Sequence, residues 1–376
     1  MAEPFKNLVG AQLVADLQNH LRRVHRRFPA DRFVQLATTG LDALELKARI
    51  QHVAKALSAT LPTDFVLAAD VIEAALLPAR LDDDLRALRT GPEGLAGFAV
   101  WPLTEFVAAQ GLQHPERALA ALHALTQRAT AEFAIRPFLV EHERLTLATL
   151  QRWTHDASPH VRRLVSEGSR PRLPWGLQLQ RFIADPSPTL PLLEALQDDP
   201  SEYVRRSVAN HLNDIAKDHP AVVAEWLERF LPDASKPRRA LLKHASRTLV
   251  KRGDQRVLRA WGLGGALRGE VQLRLSPTRP RLGTFVELQI ELRAKGKQPQ
   301  AIVLDYRVGR QRKNGGSTQK VWKGFQLTLA PGEVRELRKR HPLRQVSTRR
   351  LEPGAHTVTV LVNGREVATA AFELRA

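Results

Sequence analysis

The 376-residue chain contains no cysteine. That absence excludes disulfides, thiolate nucleophiles and cysteine-ligated zinc or iron–sulfur clusters, and it fits a reducing cytosol. No run approaches the roughly 18 apolar residues that a membrane-spanning helix needs, and the opening MAEPFK lacks the apolar stretch of a signal peptide. The expectation is a cytoplasmic protein with no membrane partner. Motifs of nucleotide and metal chemistry are missing too: there is no GxxxxGK[ST], no GxGxxG at a strand–helix junction, no HExxH and no GxSxG. The 13 histidines are scattered without metal-ligand spacing, and His123, His155, His211 and His244 read as helix-surface or core residues. No metal and no cofactor are expected. Negative charge is also short, with 39 acidic residues against 57 basic ones and a net charge of +18. Such a surplus points to a polyanionic partner, most often nucleic acid.

What is present is enough for folded cores, since 43% of the residues are hydrophobic. From residue 11 to about 262 the chain reads as consecutive short amphipathic helices, with apolar side chains three and four apart, as in Leu13–Leu17–Leu21 and Leu46–Ile50–Val53–Leu57. Prolines such as Pro115, Pro159 and Pro220 stand where helices should start. SPHVRR (158–163) and SEYVRR (201–206) lie 43 residues apart, and KPRRALL (236–242) echoes them loosely. Paired helices with a period in the forties are the signature of HEAT-like repeats, which stack into a solenoid with a binding face.

From Glu270 the pattern changes to alternation at period two, in segments 271–275, 285–292, 302–308, 325–329, 356–362 and 367–374. Turn signals separate them, including Asn363-Gly364, a two-residue hairpin turn. About seven short strands predict an immunoglobulin-like β-sandwich with a purely apolar core. The fold class expected is therefore a multidomain α-then-β chain: a HEAT-like helical repeat domain over 1–265 and a basic immunoglobulin-like sandwich over 268–376. The charge is unequally shared. Residues 268–376 hold 22 basic and 9 acidic side chains, and the preceding ones 35 and 30. A glycine-rich loop in the sandwich carries Arg310, Arg312 and Lys313, a composition suited to a solvated hairpin tip or to following phosphates, and the domain's positive charge tips the expectation to DNA binding.

The stretch SPHVRRLVSEGSRPRLPW (158–175) offers candidate chemistry. A helix capped by Ser158-Pro159 should end at Gly168 in a C′ position. Glu167 then stands at the negative end of the helix dipole, four residues after Arg163 in the weaker ordering for an ion pair. A carboxylate placed against two local rules is a candidate functional group. Superposing the repeats puts Arg163 opposite Arg206 and Glu167 opposite Asn210, with Asp214 and Lys217 continuing the second stripe. Carboxylates in a basic, hydrogen-bonding setting suit alkylated DNA. Alkylation at a ring nitrogen makes the base a cationic leaving group, and cleavage of its bond to deoxyribose builds positive charge on the sugar. Fixed carboxylates stabilise that charge and orient water. Trp175 could pack against the cationic centre, Arg163, Arg170, Arg172 and Arg206 could hold phosphates, and Ser169 could contribute its hydroxyl and N–H. Asn210 and Lys217 belong to the same expected DNA-binding set. Lys217 or Lys243 as a Schiff-base nucleophile lacks an apolar setting.

Three runs, TQRATAEFAIRPFL (126–139), VRRLVSEGSRPRLPW (161–175) and YVRRSVANHLNDIAKDHP (203–220), resemble the HEAT-like-repeat alkylpurine DNA glycosylases of the AlkC branch, some of which carry a C-terminal immunoglobulin-like domain. A monomer is expected, since no heptad repeat or exposed apolar strand demands a partner. The resemblance implies a metal-free, monofunctional glycosylase of double-stranded DNA. It would excise cationic bases such as 3-methyladenine and 3-methylcytosine by hydrolysis, gripping and bending the DNA by its backbone, with the lesion not necessarily tucked into a deep pocket. Carried over by position, it implies active-site acids at Glu132, Glu167 and Asp214, an aromatic at Trp175 and a DNA-contacting Arg163. The role of Glu132 rests on the resemblance alone. The alternative reading of the residues is a non-catalytic repeat scaffold or DNA-damage sensor, which has no use for carboxylates that repel phosphate.

Overall fold

The computed structural model describes residues 5–84, 87–311, 317–345 and 351–376. Its α-helices are α1 (Ala11–Val24), α2 (Ala30–Thr38), α3 (Leu46–Ser58), α4 (Phe65–Ala74), α5 (Trp101–Gln110), α6 (Pro115–Thr126), α7 (Arg136–Glu141) and α8 (Glu143–Trp153). They continue as α9 (Pro159–Gly168), α10 (Gln180–Ala184), α11 (Leu190–Leu196), α12 (Glu202–Asp218), α13 (Pro220–Phe230), α14 (Lys236–Ala245), α15 (Arg247–Arg252) and α16 (Gln255–Ala260). Among the described residues seven strands follow: β1 (Gly269–Ser276), β2 (Phe285–Ala294), β3 (Gln300–Gln311), β4 (Ser317–Leu329), β5 (Val334–Pro342), β6 (Gly354–Val362) and β7 (Arg365–Leu374). Helices then an antiparallel sandwich is the fold class expected. The chain forms two compact units, Met1–His219 with Ser235–Ala245, and Pro220–Ala234 with Ser246–Ala376.

In the first unit α12 packs between α9 and α14. Buried apolar residues recur at helical spacing along these contacts, with Val161, Leu164 and Val165 on α9 and Val204, Val208, Leu212 and Ile215 on α12. Pro159 opens α9 at a position that needs no N–H. Ser158, expected to cap it, makes no side-chain cap bond. The local order comes instead from Asp156, whose carboxylate accepts from Ser158 N–H (2.8 Å), and Asp199 does the same for Ser201 before α12 (2.9 Å). Arg162 then donates to Asp199 through Nε (2.6 Å) and Nη2 (3.0 Å), tying consecutive repeats together.

Gly168 is also not the left-handed C′ residue expected. It is the last helical residue and is absent from the positive-φ positions. A Cβ there would lie 2.5 Å from Cγ2 of Ile135, so the glycine serves close packing of α9 against the segment that precedes α7.

In the second unit β1-β2-β5 form one sheet and β4-β3-β6-β7 the other. Alternate residues Val286, Leu288, Ile290 and Leu292 face Ile302, Leu304, Tyr306, Val308, Val358, Val360 and Phe372 in a core without disulfides. Asn363 and Gly364, with φ of 50° and 75°, form the two-residue turn between β6 and β7. Gly364 packs directly on Gly253 at the end of α15.

Candidate active site

The site grows from three short segments of the first unit: the turn before α7, the end of α9 with the loop after it, and the middle of α12. Together they build a line of alternating charges. Arg163 Nη1 donates to Glu132 Oε2 (2.6 Å) and to Thr130 Oγ1 (2.9 Å), and its Nη2 lies 3.6 Å from Glu167. Arg170 Nη1 donates to Glu167 Oε1 (2.5 Å) and its Nε to Asp214 Oδ2 (2.8 Å). Lys217 Nζ donates to the other oxygen of Asp214 (2.8 Å), and Ser207 Oγ to the other oxygen of Glu167 (2.6 Å). The order Glu132–Arg163–Glu167–Arg170–Asp214–Lys217 is thus continuous.

Burial deepens along it. The side chain of Glu132 is 13% exposed, that of Glu167 8% and that of Asp214 3%. Burial on its own would push the Glu167 carboxyl up, but Arg163, Arg170 and the Ser207 hydroxyl outweigh it and hold the group below the usual carboxylate range. Glu167 is therefore an anion at neutral pH, fitted to stabilise positive charge rather than to give up a proton. Under the line lies His211, fully buried, whose Nδ1 meets the Ser166 carbonyl (2.9 Å). Burial pushes it down to about 4, so it adds no charge.

Of the residues expected from the sequence, Glu132, Arg163, Glu167, Arg170, Asp214 and Lys217 are brought together in this network. Arg170 is buried and spent on two carboxylates, not turned to phosphate as expected. Ser169 is fully buried with its hydroxyl donating to the Val165 carbonyl (2.6 Å), which withdraws it from a ligand. Arg172 forks onto Asp218 (2.7 and 2.9 Å) at the surface. Arg206 and Asn210 share α12 with Asp214 but turn away from it towards His244 on α14, which donates from Nε2 to the side-chain Oδ1 of Asn210 (2.9 Å). Arg310 is the penultimate residue of β3, its backbone paired with Thr318 and His356, and Arg312 and Lys313 lie outside the described residues. Trp175 projects from the loop after the acids, 79% exposed and at φ 65°. A tryptophan in the left-handed region costs about 1–3 kcal/mol, strain that tends to persist at functional sites.

Four contributors escaped the sequence reading. Ser207 holds Glu167. Tyr203 lies under Arg163, its ring centroid 5.1 Å from the guanidinium carbon. Arg136, wholly buried, donates from Nε to the Leu177 carbonyl and from Nη1 to the Gly168 carbonyl (2.8 Å). Asp199 fixes the repeat spacing. Only Asp199 had a legible signal, because DASPHVRR (156–163) and DPSEYVRR (199–206) share their aspartate as well as their arginines. Among the described residues no His, Asp and Glu side chains group as a metal site, and no helix is long and apolar enough to cross a membrane.

The model of the DNA alkylation repair enzyme family matches residues 125–249, the segment that carries all of these acids. A second family, described as the C-terminal Ig-like domain of the uncharacterised protein YhaZ, matches residues 270–376. The uncharacterised protein YhaZ of Bacillus subtilis (strain 168) is 33% identical over 362 residues, 96% of either chain. The solved structure of a Pseudomonas fluorescens alkylpurine DNA glycosylase AlkC, bound to DNA containing an abasic site analog, is 35% identical, covers 100% of both chains and superposes with a TM-score of 0.89.

Proposed function

Because the chain belongs to the DNA alkylation repair enzymes of the AlkC type, we propose that it is a monofunctional glycosylase that hydrolyses the bond between deoxyribose and a cationic N-alkylated base in double-stranded DNA. 3-Methyladenine and 3-methylcytosine are the expected substrates. The observation that carries this reading is the pair of buried carboxylates, Glu167 and Asp214, gripped from both sides of one arginine and tied by Glu167 to Arg163 and Glu132. As the bond to an already cationic base breaks, positive charge passes to the sugar, and no acid is needed to protonate the leaving group. What helps is fixed negative charge, prearranged so that it need not reorganise. Glu132, the most accessible of the three acids, is placed to orient the attacking water, and Trp175 to cover the cationic ring. Lys217, the lysine of this network, is engaged with Asp214, which disfavours it as the free amine that a lyase step needs.

The test is release of methylated bases from duplex DNA. Wild type should release 3-methyladenine without cutting the strand. Glu167→Gln and Asp214→Asn should each lose about 10²–10³ in rate, while affinity for abasic duplex is kept. Tight binding with no release of any methylated base by wild type would leave a damage-binding scaffold instead.

A further inference from the structure

The two most deeply buried acids of the site come from different helices, Glu167 from the last turn of α9 and Asp214 from α12. Their separation is therefore only as fixed as the packing of one helix on the other. Ser207, His211 and Asp214 follow one another at helical spacing on a buried face of α12. Ser207 donates to Glu167 Oε2 at 2.6 Å, and Asp214 is itself the second acid. His211, between them, meets the backbone of α9 instead, at the Ser166 carbonyl (2.9 Å).

The last four carbonyls of an α-helix have no partner within it. At the end of α9 these belong to Val165, Ser166, Glu167 and Gly168. The Ser169 hydroxyl donates to the Val165 carbonyl at 2.6 Å and lies farther, at 3.4 Å, from that of Ser166. The Ser169 N–H donates to the Glu167 carbonyl, and Arg136 Nη1 to that of Gly168 (2.8 Å). The Ser166 carbonyl, next to Glu167 in the chain, falls to His211. A carbonyl only accepts, so Nδ1 carries the imidazole proton. Nε2 is then bare, and it is buried with no hydrogen-bond partner among the described residues. Leucine could occupy such a site without burying a bare nitrogen, so what the imidazole adds is its N–H. Burial keeps the ring neutral, pushing it down to about 4, although the Ser166 carbonyl, Asp214 on α12 and Glu167 on α9 favour its protonation; Arg170 of the loop opposes it. A neutral ring can clamp the carbonyl without cancelling the charge of the acids.

We propose that His211 is a positioning residue for base release: through its Nδ1–H it clamps α12 to the last turn of α9 and so sets the spacing of the Glu167 and Asp214 carboxylates. The role rests on the glycosylase reading for the reaction it serves. Arg170 touches both carboxylates from the loop, but the His211 bond joins the helices that carry them. Fixed negative charge stabilises the sugar without reorganising only when its spacing is set before DNA arrives. A misplacement of about 1 Å can cost about 10²-fold in rate.

The experiment uses the full chain, with a methylated duplex for single-turnover release of 3-methyladenine and an abasic-site duplex for affinity. His211→Leu keeps apolar bulk and loses the donor. It should release base at least about tenfold more slowly, with affinity for the abasic duplex within about twofold of wild type. His211→Asn, whose side-chain NH2 falls near the place of Nδ1, should recover most of the rate. NMR of the imidazole nitrogens in isotope-labelled wild type should show a histidine protonated at Nδ1 that keeps this form down to about pH 5, a signal missing from both variants. A His211→Leu variant as fast as wild type overturns the role. So does a His211→Asn variant as slow as His211→Leu, because packing and not the N–H would then matter. Absence of the Nδ1–H form from wild type overturns the clamp even where a variant fails to fold. Wild type that releases no methylated base overturns the glycosylase and this role together, whereas release that neither substitution slows overturns the role alone.

Discussion

At the scale of single residues, what distinguishes the site is that its positive charges are internal. Arg170 touches two buried carboxylates, and without it each would face a low-dielectric interior with one cationic partner fewer. Glu167 and Asp214 were legible in the sequence because one breaks two local helix rules and the other falls on the matching stripe of the next repeat. Arg170 was not, because it follows the helix in a run, SRPR, that looks like a solvated basic loop, and its second partner is 44 residues away. Glu132 escaped for the same reason: its arginine comes from 31 residues further on. Replacing Arg170 with Met should therefore destabilise the protein by about 3–5 kcal/mol, the usual cost of orphaning buried charge. Arg170→Lys should lose less, since one ammonium can still meet one of the acids. Urea denaturation of the two variants against wild type measures this. A loss below about 1 kcal/mol for Arg170→Met, the range of solvated surface pairs, would mean that the acids are not held as described.

At the scale of elements, period and pattern predicted far more than caps did. The two VRR helices, α9 and α12, start where the repeat puts them, yet the residues that order their starts are Asp156 and Asp199, not the serines. Strands with apolar alternation were all readable. β5 was not, because VRELRKRHP carries charge on both faces and buries only His341 fully; its place beside β2 is set by tertiary pairing. The end of α9 is the element junction on which the site depends, since Gly168 follows Glu167 and touches Ile135, three residues after Glu132. A methyl group at 168 would stand 2.5 Å from the fully buried Ile135. Gly168→Ala should cost about 1–3 kcal/mol by overpacking and should slow base release by pushing the two glutamates apart. The double variant Gly168→Ala with Ile135→Ala, which removes the clashing Cγ2, should be more stable than the sum of its parts predicts. Thermal melts of the four proteins in that cycle decide the matter, and strict additivity would mean that Gly168 serves some purpose other than this contact.

At the scale of the whole molecule, the change from helical to strand periodicity near Gly262 was plain in the sequence, whereas the company kept by the last helices was not. α13, α15 and α16 group with the sandwich, and the Asn363–Gly364 turn closes on Gly253 and on the Gly265 carbonyl through contacts that no local pattern announces. The charge asymmetry was equally plain, but its location needed the structure. On the outer face of β1-β2-β5, Arg274, Arg293, Arg338 and Arg340 are balanced by Glu270, Glu287, Glu291 and Glu336, and two of the arginines are paired with two of the glutamates. The surplus must therefore lie elsewhere in the sandwich. The register sets Arg310, one residue before the end of β3, beside His356 near the start of β6, and Arg312 and Lys313 follow it in the sequence. Arg310, Arg312 and Lys313 are expected from the sequence to meet phosphates and so to release counterions from DNA. Replacing Arg310, Arg312 and Lys313 together with Ser should flatten the plot of log affinity against log salt by about one unit for each phosphate no longer neutralised, up to about three. Replacing Arg274, Arg338 and Arg340 removes the same charge from the balanced face and should change the slope far less. Equal slopes for the two triple variants would mean that net charge alone draws the sandwich to DNA and that the Arg310–Lys313 segment has no special place in the complex.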